Sequence, residues 1–140
     1  MNIAFFLLPK QEVVTVTHDA TLRQTLEKME HHRYTAVPII NAEGEYAGVV
    51  TEGDLLWFMK NRPELTFEMT NKVKLADVPL RLSHRSVRID ANMEDLIMLA
   101  KVQNFVPVVD DSEHFIGIVR RSEIIDYCQT IMQSAIAIEA

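Results

Sequence analysis

Three observations predict an α+β fold built from two copies of a β-α-β-β-α unit. Two segments of the chain match each other, each opens with an apolar stripe at helical spacing, and each continues into two β-branched runs split by a turn signal. The first segment reads DATLRQTLEKM and then YTAVPIINAEGEYAGVVTEGDLL; the second reads DANMEDLIMLA and then QNFVPVVDDSEHFIGIVRRSEII. Pro38 pairs with Pro107 and Gly48 with Gly117, both at an offset of 69, whereas Leu22 pairs with Met93 and Leu26 with Ile97 at 71. The change of offset places a longer helix-to-strand link in the first repeat.

Each element follows from its residues. Leu22, Thr25, Leu26 and Met29, and again Met93, Leu96, Ile97 and Ala100, fall at i, i+3, i+4 and i+7, which gives each helix one mainly apolar face. Thr21 with Gln24, and Asn92 with Asp95, stand where an N-cap and its N3 partner belong. Residues 36–40 and 105–109 read as strands, the turns Asn41-Ala-Glu-Gly44 and Asp110-Asp-Ser-Glu113 make hairpins, and residues 46–50 and 115–119 supply the return strands. Leu55, Leu56 and Met59, and Ile124, Ile125 and Cys128, restore the helical period. The first strand of each unit is expected within 13–17 and 87–89.

Size and composition set the outer limits. The chain has 140 residues, 48% of them hydrophobic and 24% charged, which excludes a disordered or collagen-like polymer and leaves room for one compact unit or two very small ones. At this length about 70% of the unfolded surface can be buried, so a core needs neither metal nor disulfides. The single Cys128 fits a reducing compartment, and MNIAFFLLPKQ lacks the basic n-region and longer apolar h-region of a secretory signal; a cytoplasmic location is expected. No apolar run approaches the roughly 20 residues that cross a bilayer. Fourteen basic against 20 acidic residues give a net charge of −6, unfavourable for broad contact with nucleic acid.

A three-stranded sheet with helices on one face leaves an apolar surface that one unit of about 60 residues covers poorly, so the two copies are expected to pack together and enclose a ligand cleft. Pro63, Thr66, Asn71 and Pro79 mark residues 61–83 as a connector with one short helix. The expected division is residues 1–62 for repeat one with its N-terminal segment, and 63–140 for the connector, repeat two and a C-terminal helix or tail.

YTAVPIIN with GVVTEGDLL, and NFVPVVDD with GIVRRSEII, resemble a tandem pair of cystathionine-β-synthase (CBS) domains, a Bateman module, over roughly residues 13–128. Gly48-Val-Val-Thr51-Glu-Gly-Asp54 is similar to that family's nucleotide signature, G-h-h-[ST]-x-x-D. The resemblance implies a non-catalytic sensor without a catalytic cofactor. Its cleft would bind an adenosine-containing ligand such as AMP, ADP, ATP, S-adenosylmethionine or cyclic di-AMP. It also implies a homodimer that signals through an unidentified client protein. Within it, TAVPI with the Arg120-Arg121 pair resembles stand-alone cyclic di-AMP receptors. The rival class is a structural or interaction module whose cleft is empty.

The resemblance also implies site residues. Val14, Thr35 and Ala36 match the positions lining the adenine slot. Thr51 donates to phosphate and Asp54 takes the ribose hydroxyl pair, although Thr51-x-x-Asp54 is equally a capping box. Arg120 and Glu123 replace the hydroxyl and aspartate of the signature in repeat two; Arg120 and Arg121 are candidate phosphate ligands, or else solvated surface charge. His32 and Arg33 resemble the His-Arg ends of adenylate-sensing kinase γ subunits, and a cation at a helix C-terminus is favoured by the dipole as well. Family sites draw on both repeats, which pairs the Val14 slot with Arg120 and Arg121, and Thr51 and Asp54 with a slot at Arg85, Asn104 and Phe105. For Phe105, core packing is the simpler role.

Other chemistry finds no support in the sequence. There is no Walker loop, paired-cysteine zinc site or Gly-x-Ser-x-Gly elbow, the five histidines are scattered without metal-ligand spacing, and Ser83-His84 lacks a third triad member.

Overall fold

The computed structural model describes residues 1–139 and divides into two compact units, Val14–His84 and the combination of Met1–Val13 with Arg85–Ala140. The elements are β1 (Leu8–Pro9), β2 (Val16–Thr17), α1 (Leu22–His32), β3 (Ala36–Ile40), β4 (Tyr46–Thr51), α2 (Glu52–Lys60), β5 (Val87–Arg88), α3 (Ile97–Ala100), β6 (Phe105–Val109), β7 (Phe115–Arg120) and α4 (Arg121–Glu139). The β-α-β-β-α order therefore occurs twice, as the repeats predict.

In the Val14–His84 unit the sheet runs β2-β3-β4, with β2 parallel to β3 and β3 antiparallel to β4. Helix α1 begins in a full capping box. The Thr21 hydroxyl accepts from Gln24 N at 3.0 Å and the Gln24 side chain accepts from Thr21 N at 2.9 Å, so two otherwise orphaned donors are satisfied reciprocally. Its buried face is the predicted one: Leu22, Thr25 and Met29 are buried, and Leu26 packs against the same core. The connector contributes to this core instead of running past it. It forms two short 3-10 turns, Phe67–Lys72 and Leu75–Asp77, and inserts Leu75 and Val78 among Val16, Val37, Val50 and Leu55.

The other unit carries the sheet β1-β7-β6-β5. Leu8 and Pro9 pair antiparallel with Ile118 and Gly117, so the N-terminal segment builds the edge of the second repeat's sheet, and Ile3 joins the core of Met93, Leu96, Val106 and Val119. By packing, residues 1–13 go with the second unit and residues 63–84 with the first, which differs from a division at 62/63. An exposed strand edge has unpaired N–H and C=O groups, and β1 supplies β7 with partners for them. The second repeat's first helix also departs from expectation. Met93–Leu96 is 3-10, with three residues per turn, so Met93 and Leu96 are fully buried and Leu99 packs partly against them, while Ile97 is rotated out to 37% exposure.

The two hairpin turns are built alike. Asn41 Oδ1 accepts from the N–H groups of Glu43 and Glu45, and Asp110 Oδ1 accepts from those of Ser112 and His114. These bonds, above all that from His114, hold the Asp110 carboxyl below its ordinary range. At the αL position the first turn has Gly44 (φ 82°) and the second has Glu113 (φ 67°). Residues 134–139, whose role the sequence leaves open, extend α4; Ala140 lies outside the described residues.

Candidate functional site

In the Val14–His84 unit, four of the expected residues meet at one end of the sheet. Ala36 faces Thr51 across the β3–β4 ladder, Glu52 N donates to Thr35 O at 2.9 Å, and Asp54 lies in the first turn of α2. Val14 precedes β2, the strand beside β3. Thr35 is exposed, while Ala36 and Val14 are half-buried.

Asp54 is 2% exposed, and both of its carboxylate oxygens are engaged by backbone. Oδ2 accepts from Thr51 N at 2.8 Å, Oδ1 accepts from Arg81 N at 2.9 Å, and the Thr51 hydroxyl accepts from Asp54 N at 3.2 Å. The ribose grip expected of Asp54 is therefore not presented in this conformation. The carboxylate closes the capping box and anchors the segment before β5 at Arg81, because buried N–H groups must find acceptors. The Thr51 hydroxyl has accepted one bond and keeps its hydrogen to donate.

Near the anchored segment, Tyr46 Oη donates to His84 O at 2.6 Å, and burial pushes the Tyr46 phenol well above its ordinary value. Burial holds the His84 imidazole below 6.5, with the Leu82 backbone and the Asp54 charge opposing that fall. Neither residue was singled out by sequence motif for this role.

In the other unit, Phe105 pairs with Arg120 across the β6–β7 ladder, and Arg121 N donates to Asn104 O at 2.9 Å, the counterpart of the Glu52–Thr35 bond. Phe105 is buried, Asn104 and Arg85 are exposed. The two arginines differ. Arg120 Nη2 lies 3.2 Å from Glu123 Oε1 on the surface, whereas Arg121 Nε donates to Ala100 O at 2.9 Å and to Gln103 O at 3.1 Å. Arg121 Nε thus satisfies carbonyls at the end of α3. A residue outside the expected set is central here. Gln103, 3% exposed, accepts from Arg85 N through Oε1 at 2.8 Å and donates through Nε2 to Arg85 O at 3.1 Å and Phe105 O at 3.2 Å. Aligning the repeats on their strands places Gln103 opposite Tyr34, which is the one signal the sequence offered.

His32 and Arg33 end α1 and are exposed. Arg33 caps the helix in the left-handed conformation (φ 58°), and the His32 ring stacks on Tyr34 at 5.9 Å. Arg33 and Thr35 line a groove of about 650 Å³ whose walls include Leu26, Met29 and Leu56. Among the described residues, no cluster of His, Cys, Asp and Glu is placed to hold a metal ion, and no helix is long and apolar enough to cross a membrane.

Two β-α-β-β-α units, the first with Thr51 at the end of β4 and Asp54 in the first turn of α2, define a tandem-repeat module of the CBS type. The CBS domain family model matches residues 7–61 and 75–130, and the chain belongs to that family. A CBS domain-containing protein of Dictyostelium discoideum is 23% identical over 139 residues, covering 95% of this chain and 96% of its own. Among solved structures, Listeria monocytogenes CbpB in complex with c-di-AMP superposes with a TM-score of 0.80 at 21% identity, covering 94% of this chain and 97% of that one. CBSX2 in complex with AMP gives 0.72 at 26% identity, covering 94% and 98%.

Proposed function

We propose that this protein is a non-catalytic regulatory module that binds an adenine nucleotide, whether AMP, ADP, ATP or cyclic di-AMP, and signals through altered contacts with a client protein. The reading places it in the cytoplasm as a homodimer. The observation that carries it is the backbone edge at Val14. Among the described residues neither its N–H nor its C=O makes a hydrogen bond, and the residue stands two places before the first rung of β2 on β3, the strand that begins at small Ala36. An adenine base offers a ring-nitrogen acceptor next to an amino donor, which one extended residue can satisfy with its N–H and C=O. The Thr51 hydroxyl is then a donor for phosphate, and a ribose hydroxyl would share the Asp54 carboxylate with the Thr51 and Arg81 N–H groups. The relatives solved with c-di-AMP and with AMP support the ligand class. Signalling further requires that the ligand favour one conformation over another.

One observation favours a second reading, an interaction module with no ligand: the Asp54 carboxylate is already satisfied within the chain. Calorimetry separates the two. Sub-millimolar binding of AMP, ATP or cyclic di-AMP that is lost in Ala36→Leu, whose side chain fills the slot, is the expected result. Silence across all three ligands with the folded protein supports the interaction module.

A further inference from the structure

We infer that Gln103 occupies the second repeat's own base edge with its carboxamide, so that the chain takes a single adenine base, at Val14. The inference rests on the adenine reading above. Both parallel ladders stop at equivalent places. Val16 pairs with Ile39 and Val87 with Val108; the next rung back would need an N–H from Pro38 or Pro107, and proline has none. Val14 and Arg85, each two residues before its strand's first rung, thereby lose the ladder partner of their C=O, and among the described residues the N–H of neither is bonded within the sheet.

The repeats treat these groups differently. At Arg85 both are taken by Gln103, the N–H by Oε1 at 2.8 Å and the C=O by Nε2 at 3.1 Å. A carboxamide sets an acceptor beside a donor, the same pair that adenine presents with a ring nitrogen and its amino group. The third bond, to Phe105 O at 3.2 Å, and burial of all but 3% of the residue hold the amide in place. At Val14 no side chain does this. The equivalent of Gln103 is Tyr34, as the matching bonds Glu52 N to Thr35 O and Arg121 N to Asn104 O establish. Tyr34 is 48% exposed and stacked on His32, and one phenolic hydroxyl cannot span both groups of a single residue.

Titration with AMP tests this. The wild-type chain is expected to bind one AMP, and Gln103→Ala two, with faster hydrogen exchange at the Arg85 amide. Val14→Pro removes the donor at the open edge without straining Val13, which is already extended (φ −103°, ψ 132°), and is expected to weaken AMP binding about tenfold or more. Two AMP per wild-type chain, or one in both the wild type and folded Gln103→Ala, overturns the inference and leaves the adenine reading standing. Unchanged affinity in Val14→Pro overturns the assignment of the base to Val14 even where Gln103→Ala does not fold. No binding of AMP, ATP or cyclic di-AMP by any of the proteins overturns the inference and the adenine reading together.

Discussion

Asp54 shows how one side chain serves two parts of its unit. Its carboxylate accepts the Thr51 and Arg81 N–H groups while almost wholly buried, so truncation leaves two donors without acceptors and removes the acidic half of a capping box. Each buried unsatisfied donor costs about 1–3 kcal/mol, and Asp54→Ala is expected to destabilise by about 2–4 kcal/mol in urea unfolding. At the corresponding place in the second repeat, Glu123 makes only a surface pair with Arg120, and Glu123→Ala is expected to change stability by less than about 0.5 kcal/mol. Equal losses would refute the anchoring role. His84 adds a pH dependence. Its folded pKa lies below 6.5, so the unfolded chain binds the proton more readily; stability is present above the unfolded value and is lost as pH falls through 6.5 toward the folded one. Urea midpoints measured from about pH 8 to about pH 5 are expected to fall, and less steeply in His84→Gln. An identical slope in the variant would assign the loss to other groups.

At the scale of elements, the paired glycines are equivalent in sequence and unequal in surroundings. A Cβ on Gly117 would lie 2.2 Å from Leu8 O, a backbone atom of β1, whereas on Gly48 (φ 139°) it would meet the tip of the Leu80 side chain at 2.9 Å. Backbone cannot yield as a side chain can. Gly117→Ala is therefore expected to cost about 3 kcal/mol and to release β1, and Gly48→Ala about 1–2 kcal/mol, read by thermal unfolding and by exchange at Leu8. The helix and hairpin pattern was legible because it is local: capping pairs, alternating runs and turn residues lie within a few positions of each other. What was not legible depends on long-range partners. Leu8 and Pro9 are too short a strand to show alternation, Ile97 is turned outward by a 3-10 start that periodicity cannot register, and the Gln103 amide meets a backbone 18 residues away. Asp54 carried two readings in the sequence; its capping box was legible there, whereas its bond to Arg81, 27 residues on, had no local signal.

For the whole molecule, the consequence is that one unit, Val14–His84, is a contiguous stretch that takes in the connector, whereas the other is assembled from two separate stretches of chain. The N-terminal thirteen residues complete the second repeat's sheet through β1 and fill its core with Ile3, with Phe6 and Leu7 packed against it, while Leu75 and Val78 of the connector complete the first. Deleting residues 1–12 thus removes one strand of a four-stranded sheet and a fully buried isoleucine from the second repeat, and takes nothing from the core around Val37 and Leu55. Loss of a buried large aliphatic side chain alone costs about 2–5 kcal/mol, and the bare edge of β7 adds unpaired backbone to it. Hydrogen exchange on the truncated chain is expected to show protection falling in β6 and β7 and persisting in β3 and β4. Protection retained in β6 and β7 would mean that the N-terminal segment only rests on a sheet already complete without it; equal loss in both would mean that the two units open as one.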